Sequence, residues 1–332
     1  MKESDYSIVL IVPYFGKFPS YFPLWLSSCK YNPTINWIIY TDCKDSYDYP
    51  ANIEVVYCTF LDVVKRVQSH FDFKIELNNP YKLCDFKPSY GEVFKEDIQE
   101  FDFWGYCDID LVFGNIRKFI NKSILSNYER VQAHGHFSLF KNNEKINAIY
   151  RSSIAEDLPY KRIFTNSKHF GFDEHGKNHL YDIFVLSQST IYLNNTLFAD
   201  IDSFLRHFVS TYTRKLVKPL EIDELKENEN WKGKATIFSF EKGVLNRLQV
   251  NNDQLNTKEY MYVHLQKRAM AKDENLDDTK FLIIPNKFIS YTGPITKESV
   301  VKFGKAKFWY HKRIKRQLYS RSRMLIYKYL KV

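Results

Sequence analysis

The sequence predicts an α/β protein built on a sheet that helices flank. Three apolar, β-branched runs, at 7–13, 36–41 and 53–57, are typical of strands that are buried on both faces. Segments with helical spacing of apolar residues lie at 21–29 and 61–70. Strands and helices that alternate in this way favour a sheet with helices on both of its faces.

The later elements follow from the same patterns. We expect a helix at 89–98, a polar surface loop at 220–233, and strands at 103–107, 135–140, 181–191, 235–240 and 260–265. No internal repeat and no low-complexity linker interrupts the chain. We therefore predict one compact domain over 1–301, followed by a tail over 302–332.

Composition excludes several classes of protein. The chain has 332 residues, of which 44% are hydrophobic and 17% aromatic, so it can bury a large core and is neither disordered nor collagen-like. The apolar run at 8–12 ends at Pro13, and Glu3 and Asp5 precede it, so we expect neither a signal peptide nor a spanning helix at the start. The five cysteines form no C-x-x-C pair, which argues against a disulfide framework or a zinc site and favours a reducing compartment.

Positive charge is concentrated in the tail. Eleven of the 48 Lys and Arg residues lie at 302–332 with no acidic residue, which leaves 37 basic against 39 acidic residues over 1–301. An apolar stripe through the tail, from Phe303 to Tyr329, predicts an amphipathic helix that binds an anionic membrane surface. Two alternatives remain open: contacts with nucleic acid, which we consider the weaker, or a terminal helix with a solvated basic face.

The strongest local motif is Asp108-Ile109-Asp110, directly after the predicted strand at 103–107. In a continuing strand the two carboxylates would point the same way, at the carboxyl end of the sheet where α/β folds bind ligands. Two adjacent anions in that position favour a divalent metal. The alternative is an exposed loop with two solvated aspartates.

The order of motifs resembles nucleotide-sugar glycosyltransferases of the GT-A fold, and in particular bacterial enzymes that build capsule or lipopolysaccharide. The resemblance spans about residues 6–270 and rests on Thr41-Asp42, Asp85-Phe86-Lys87-Pro88 and Asp108-Ile109-Asp110, each after a strand or helix in the expected order. It implies a Rossmann-like mixed sheet. It also implies that Asp108 and Asp110 bind Mn²⁺ or Mg²⁺, which bridges the donor diphosphate, and that Asp108 contacts the donor as well.

The resemblance assigns further residues to the donor and the metal. It implies donor contacts for Thr41, Asp42, Lys82, Asp85, Lys87, Lys267 and Arg268, and it makes His264 a third metal ligand. An imidazole beside two carboxylates would suit Mn²⁺ better than Mg²⁺. Each assignment has a plainer alternative. Thr and Asp readily form caps and turns, lysines in loops are often only solvated, and a lone histidine is often an ordinary core residue.

The predicted acceptor-binding residues and the predicted catalytic base lie in two segments, 135–139 and 170–176. They resemble a small-residue strand and an aromatic-glycine segment with acidic residues in inverting GT-A enzymes. The resemblance implies that His136 contacts the acceptor and that Asp173 or Glu174 is the catalytic base, which takes the proton of the attacking hydroxyl. This chain departs from the pattern, since it has two acids rather than three, with His175 beside them. The alternative is a helix start that acidic residues favour.

These observations together predict a cytoplasmic hexosyltransferase, peripherally bound to the inner face of a membrane. It would transfer a sugar, with inversion, from a UDP-linked donor to a glycan or lipid-linked acceptor in cell-surface polysaccharide synthesis. One alternative is a nucleotidyltransferase on a similar sheet, although the segment from Pro13 to Lys17 is more aromatic than a phosphate-binding loop. Another is a non-enzymatic protein that binds membrane or nucleic acid through its tail.

Overall fold

A computed structural model describes residues 5–153, 157–174, 178–203, 205, 207–211, 231 and 234–304. The chain divides into two compact units, Met1–Asn195 and Thr196–Val332. The predicted basic tail lies outside the described residues from residue 305 onward, as does the predicted loop at 220–233 apart from Trp231. Both therefore stay predictions.

The first unit is built on a seven-stranded mixed sheet. Its strands are β1 (Ile8–Pro13), β2 (Ile35–Thr41), β3 (Ile53–Tyr57), β4 (Phe103–Cys107), β5 (Leu111–Phe113), β6 (Arg130–His134), β7 (Phe137–Lys141) and β8 (Ile191–Tyr192), of which all but β5 form this sheet. The strand order is β3-β2-β1-β4-β7-β6-β8. The first four strands run parallel, and β7 is antiparallel to both of its neighbours, β4 and β6.

Short helices surround this sheet. They are α1 (Phe22–Lys30), α2 (Phe60–Gln68), α3 (Leu83–Phe86), α4 (Tyr90–Val93), α5 (Lys95–Ile98), α6 (Ile116–Phe119), α7 (Lys122–Asn127), α8 (Glu144–Asn147), α9 (Pro159–Phe164) and α10 (Leu180–Leu186). Single turns of 3-10 helix lie at Pro80–Lys82, Lys87–Ser89 and Ile149–Arg151. The predicted α/β class, a mixed sheet flanked by helices, is confirmed.

Alternate residues of the parallel strands supply two separate cores. On one face, Trp25 of α1 packs edge-on against Trp37 of β2, with ring centroids 6.2 Å apart. On the other face, Ile38 of β2 belongs to a cluster of buried residues that includes Val63 and Val67 of α2. Successive side chains of a strand point to opposite faces of the sheet. Because both faces are buried here, the strand is apolar at nearly every position.

Two predicted elements need correction. The predicted strand at 181–191 is wrong for most of its length, because Leu180–Leu186 forms helix α10 and only Ile191–Tyr192 is a strand. Leu180, Ile183 and Phe184 are buried at helical spacing, which the apparent alternation of the sequence concealed. The predicted helix at 89–98 is divided into α4 and α5, with Phe94 between them.

Strands β4 and β7 approach each other closely at Gly105. A Cβ atom at that position would lie 2.2 Å from the backbone oxygen of Ser138. Strand β7 begins two residues later than predicted, after a turn at Gly135 and His136 that joins it to β6. The hairpin therefore brings Gly135 and His136 to the end of β4, where Asp108 follows.

In the residues that the structure describes, the second unit contains an antiparallel sheet and one helix. Its elements are β9 (Phe198–Asp200), β10 (Thr236–Glu241), β11 (Val244–Asn251), β12 (Gln254–Glu259), β13 (Tyr262–His264), β14 (Ala271–Lys272), β15 (Lys280–Ile284), β16 (Lys287–Ile289) and α11 (Lys297–Gly304). Six strands have the order β12-β11-β10-β15-β16-β14, with only β14 and β16 parallel, while β9 and β13 pair in parallel. Val300 of α11 is buried with Ala235 and Ile237 on this sheet. Among the described residues, no helix has the length and apolar character needed to cross a membrane.

Candidate active site

Asp108, Ile109 and Asp110 form the turn between β4 and β5. Strand β4 ends at Cys107, so the alternation of a continuing strand does not orient the two carboxylates. They nevertheless lie close, with oxygens within 4.8 Å of each other. The amide of Asp108 donates to the carbonyl of His136 at 3.1 Å, and Trp25 Nε1 donates to the Asp108 carbonyl at 3.3 Å. Hydrogen bonds at both the amide and the carbonyl of Asp108 thus fix the position of the turn.

Lys87 links this turn to two other segments. Its Nζ donates to Asp108 Oδ1 at 2.8 Å and to the carbonyl of Gly135 at 2.6 Å, and it lies 3.6 Å from Asp173 Oδ2. Burial alone would lower the pKa of Lys87, but Asp108 foremost, followed by Cys84 and Asp173, outweighs burial and raises that pKa well above its ordinary value. Lys87 is therefore a permanent cation between two acids.

Asp173 is the buried acid of this group. Burial raises its pKa to about 7, and the charge of Lys87 opposes that rise while the acids Glu174 and Asp108 add to it. A side chain at Gly135 would collide with it, because a Cβ there would lie 2.7 Å from Asp173 Oδ2. Glu174, in contrast, is exposed. The two predicted base candidates therefore lie in different surroundings.

Asp110 lies on the side of the turn that faces aromatic residues. It is 7% exposed, and its charge adds to burial in raising the pKa values of Tyr14 and Tyr21. Nearby, Asp42 Oδ1 accepts a hydrogen bond from the amide of Gly16 at 2.7 Å, which joins the loop after β2 to the loop after β1. These loops follow the carboxyl ends of adjacent parallel strands, where α/β folds bind ligands.

Thr41 and His136 already have structural contacts. The buried hydroxyl of Thr41 accepts from the amide of Cys43 at 3.1 Å, which is the turn contact that the plainer interpretation expects. The His136 ring is buried and stacks on His134, with centroids 5.1 Å apart. Donor contact through Thr41 and Asp42 and acceptor contact through His136 stay predictions.

Lys82 and Asp85 are interior residues rather than solvated loop charges. They are 1% and 0% exposed and form an ion pair at 2.8 Å. The two side chains also bond backbone groups of 163–172, and Asp85 Oδ1 lies 4.0 Å from His169 Nε2. The predicted donor contact of this pair therefore competes with bonds that both side chains already make.

In the second unit, His264 ends β13 directly beside Asp200, which ends β9. His264 Nδ1 lies 2.7 Å from Asp200 Oδ1, so Nε2 is the ring nitrogen that a metal would use. Asp200 also accepts from Gln266 Nε2 at 2.7 Å and from the Thr211 hydroxyl at 2.6 Å. The sequence analysis missed Asp200, although, like Asp108, it is an aspartate at the end of a strand.

The two predicted basic residues after His264 differ in surroundings. Gln266 and Lys267 have φ values of 49° and 55°, and the amide of Arg268 donates to the Leu265 carbonyl at 3.0 Å, which closes a tight turn. Lys267 is exposed at this turn. Arg268 is buried and donates to the carbonyls of Asp202 and Leu205 and to the side chain of Asn286. Arg268 therefore stabilises neighbouring loops, and its predicted donor contact stays a prediction.

The residues fit a hard divalent cation. In the first unit, two carboxylates offer oxygens within 4.8 Å, close to the span of about 4 Å that one Mg²⁺-sized ion bridges. In the second unit, an imidazole with a fixed ring orientation offers nitrogen, which Mn²⁺ accepts more readily than Mg²⁺. That His264 shares a metal with Asp108 and Asp110 stays a prediction.

Comparisons with known proteins give a family and distant structural likenesses. A family model described as "Family of unknown function (DUF6625)" matches residues 10–292. No curated protein matches the chain in sequence.

Among solved structures, an active-site mutant of LgtC matches with 9% identity and a TM-score of 0.39, covering 79% of this chain and 88% of that one. Mouse xyloside xylosyltransferase 1 matches with 10% identity and a TM-score of 0.34, covering 61% and 89%. The glycosyltransferase GlyE of Streptococcus pneumoniae TIGR4 matches with 14% identity and a TM-score of 0.29, covering 59% and 46%. Likeness at this level does not identify an activity, which must be inferred from the chain's own residues.

Proposed function

The chain belongs to the family of unknown function DUF6625, and we propose from its residues that it is a metal-dependent glycosyltransferase. The observation that carries the proposal is Lys87, which links Asp108 to Asp173 at the carboxyl end of the parallel strands. Because one cation lies between the predicted donor motif and the predicted base, the two groups are close to each other. Sugar transfer needs that arrangement, since the acceptor oxygen must meet the anomeric carbon of the bound donor.

Asp108 and Asp110 are the proposed ligands of Mn²⁺ or Mg²⁺. When bound there, a divalent cation would neutralise charge that develops on the departing nucleoside diphosphate. Lys87 holds the Asp108 carboxylate in place through its hydrogen bond. Lys267, an exposed lysine of the second unit, is a point charge suited to phosphate oxygens.

Asp173 is the base that we propose for the acceptor. It takes the proton of the attacking hydroxyl as that oxygen bonds to the anomeric carbon and the bond to the diphosphate breaks. A pKa of about 7 suits this role, because a base works best when its pKa is near the working pH. Attack by the acceptor itself on the donor would invert the anomeric configuration.

The proposal also covers the class of donor and the class of acceptor. We propose a UDP-linked hexose as the donor and a glycan or lipid-linked molecule of the cell surface as the acceptor. A membrane-bound acceptor would explain the basic residues of 302–332, which would bind the enzyme to the inner face of an anionic membrane. Truncation after Gly304 tests this location, since a truncated chain that stays in the membrane fraction contradicts it.

The decisive experiment is calorimetric titration of UDP into the full chain with and without Mn²⁺. We expect binding that depends on Mn²⁺ in the wild type and is lost in Asp110→Ala. The matched control is Asp72→Ala, which removes an exposed aspartate of the same unit and should bind as the wild type does.

Each outcome has a definite meaning. Mn²⁺-dependent UDP binding leads to a screen of UDP-sugars for hydrolysis and transfer. If UDP does not bind, GDP, CMP and dTDP are titrated in the same way. Absence of metal-dependent binding for all four nucleotides would overturn the proposal.

A further inference from the structure

The carboxylate of Asp85 binds three successive backbone amides. Its Oδ1 accepts from Gly171 N at 2.7 Å and Phe172 N at 3.0 Å, and its Oδ2 accepts from Phe170 N at 3.0 Å. Successive amides that converge on one anion form a concave nest. Gly171 makes the nest possible, because its φ of +73° lies in the left-handed region that glycine adopts without strain.

Lys82 completes this arrangement from the other side. Its Nζ donates to Asp85 Oδ2 at 2.8 Å and to the carbonyls of Ile163 at 3.0 Å and Lys168 at 2.6 Å. An ammonium group has three protons, and here each has an acceptor. Lys82 and Asp85 therefore bond the backbone at 163–172, directly before the two acids at 173 and 174.

The same short segment also reaches the donor motif. Lys87 follows Asp85 by two residues and bonds Asp108, while it lies 3.6 Å from Asp173. Residues 82–87 thus contact the backbone before Asp173, the Asp173 side chain and the Asp108 side chain. Their geometry sets the separation between the proposed base and the proposed metal ligands.

We propose that Lys82 and Asp85 are positioning residues that hold the segment 170–174 at the proposed active site. This inference rests on the proposed function, since it assumes that the segment carries the base. It assigns the pair a role different from the donor contact that the sequence predicted. A buried pair whose charges are already satisfied orients other groups, whereas a donor-binding residue needs a polar atom that can reach the donor.

The test measures hydrogen exchange of the peptide that contains residues 168–174, together with the kinetics of the full chain. For Asp85→Ala we expect exchange to accelerate at least about tenfold, because three hydrogen bonds to a charged acceptor are lost. We expect kcat to fall at least about tenfold while Mn²⁺-dependent UDP affinity stays within about twofold, since the donor half is intact. Removing one partner of a buried ion pair can unfold a chain. The second variant is therefore the near-isosteric pair Lys82→Met with Asp85→Asn, which removes both charges together and leaves no unpaired buried charge.

The results separate this inference from the proposed function. Unchanged exchange in both variants overturns the positioning role, whatever the activity. Loss of UDP binding in Asp85→Ala with unchanged exchange would favour the donor contact instead. If the wild type binds none of the four nucleotides in the presence of Mn²⁺, the proposed function fails, and a catalytic purpose for this pair fails with it, whereas the exchange result still reports whether the pair holds the segment. The control Asp72→Ala should alter neither exchange nor kinetics.

Discussion

Lys87 Nζ lies 3.6 Å from Asp173 Oδ2 and donates a hydrogen bond to Asp108 Oδ1 at 2.8 Å. One buried cation thus balances two acids that we assign to different halves of the reaction. Because burying an acid without its partner is costly, we expect the ammonium of Lys87 to stabilise the folded chain as well as to serve the proposed reaction.

Lys87→Met should therefore destabilise the chain by about 3 kcal/mol at pH 8, where Asp173 is charged. Metal-dependent UDP binding should weaken at least about tenfold, since Asp108 loses the bond that holds it. Urea denaturation and calorimetry measure the two effects. The matched control is Lys95→Met, at an exposed lysine, where we expect a change within about 0.5 kcal/mol. Equal stability of both variants would contradict the role of Lys87.

As the proposed base, Asp173 should give the proposed transfer reaction a pH dependence of definite sign. A base must be deprotonated to accept a proton, so with its pKa at about 7 the transfer rate should rise through pH 7 and level off above it. Asp173→Asn should lower kcat about 10²- to 10⁴-fold and remove that rise. Glu174→Gln is the matched comparison. If it abolishes the rise while Asp173→Asn retains it, Glu174 is the base.

The same pKa links Asp173 to stability. In the folded chain its pKa is raised from 3.8 to about 7, so the folded state holds this proton more tightly than the unfolded state does. Its contribution to stability is fully present below pH 3.8 and is lost as pH rises to about 7, a change of up to about 4 kcal/mol. Asn cannot ionise, so Asp173→Asn should gain stability relative to the wild type between pH 4.5 and pH 7.5. Urea midpoints at those two pH values measure the gain, and a constant difference would contradict the buried, titrating carboxyl.

Gly135 leaves no room for a side chain, because Asp173 and Glu174 both fill the space where a Cβ atom would lie. A Cβ atom there would be 2.7 Å from Asp173 Oδ2, closer than real Cβ contacts. Gly135→Ala should therefore displace Asp173 and lower kcat at least about tenfold, with a smaller effect on UDP affinity. The control is Gly293→Ala, where a Cβ meets no atom within 4 Å, although its positive φ costs about 1 kcal/mol. Unchanged kcat in Gly135→Ala would contradict the proposed position of the base.

The parts of the fold that the sequence predicted are those where local pattern and tertiary structure agree. Strands β1, β2 and β4 are apolar at nearly every position, which burial on both faces explains, whereas the edge strand β3 buries only Ile53 and was wrongly expected to be buried on both faces. Strand β6 was missed because it buries polar residues. Arg130 there is fully buried, and its guanidinium lies 5.1 Å and 5.0 Å from the rings of Phe140 and Phe184. No local pattern shows such a partner.

Some residues of the candidate site could also be predicted from the sequence, and others could not. Asp108 and Lys87 could be selected from the sequence because each lies beside a recognisable element. Asp200 could not, because β9 has only three residues and the partner of Asp200 is 64 positions away at His264. The role of Asp85 was equally hidden, since the backbone amides that it binds lie 85–87 positions later.

Asp200 should control the orientation of His264 and the stability of the second unit. Burial by itself would raise the pKa of Asp200, but its bonds to His264, Thr211 and Gln266 outweigh burial and lower that pKa. A lowered pKa means stability that is present above the unfolded value of 3.8 and lost as pH falls through the folded value. Asp200→Asn should therefore destabilise the chain by about 1–2 kcal/mol at pH 7, and by less below pH 4.

If His264 is a metal ligand, the same variant should weaken Mn²⁺ binding about 10- to 100-fold, because the ring loses the acid that fixes its orientation. Calorimetry with Mn²⁺ alone measures this effect without any need for turnover. Asp253→Asn is the control, since this exposed acid pairs with Lys297 at the surface and should matter by less than about 1 kcal/mol. Lower stability with unchanged Mn²⁺ affinity would limit Asp200 to a structural role and would count against His264 as a ligand.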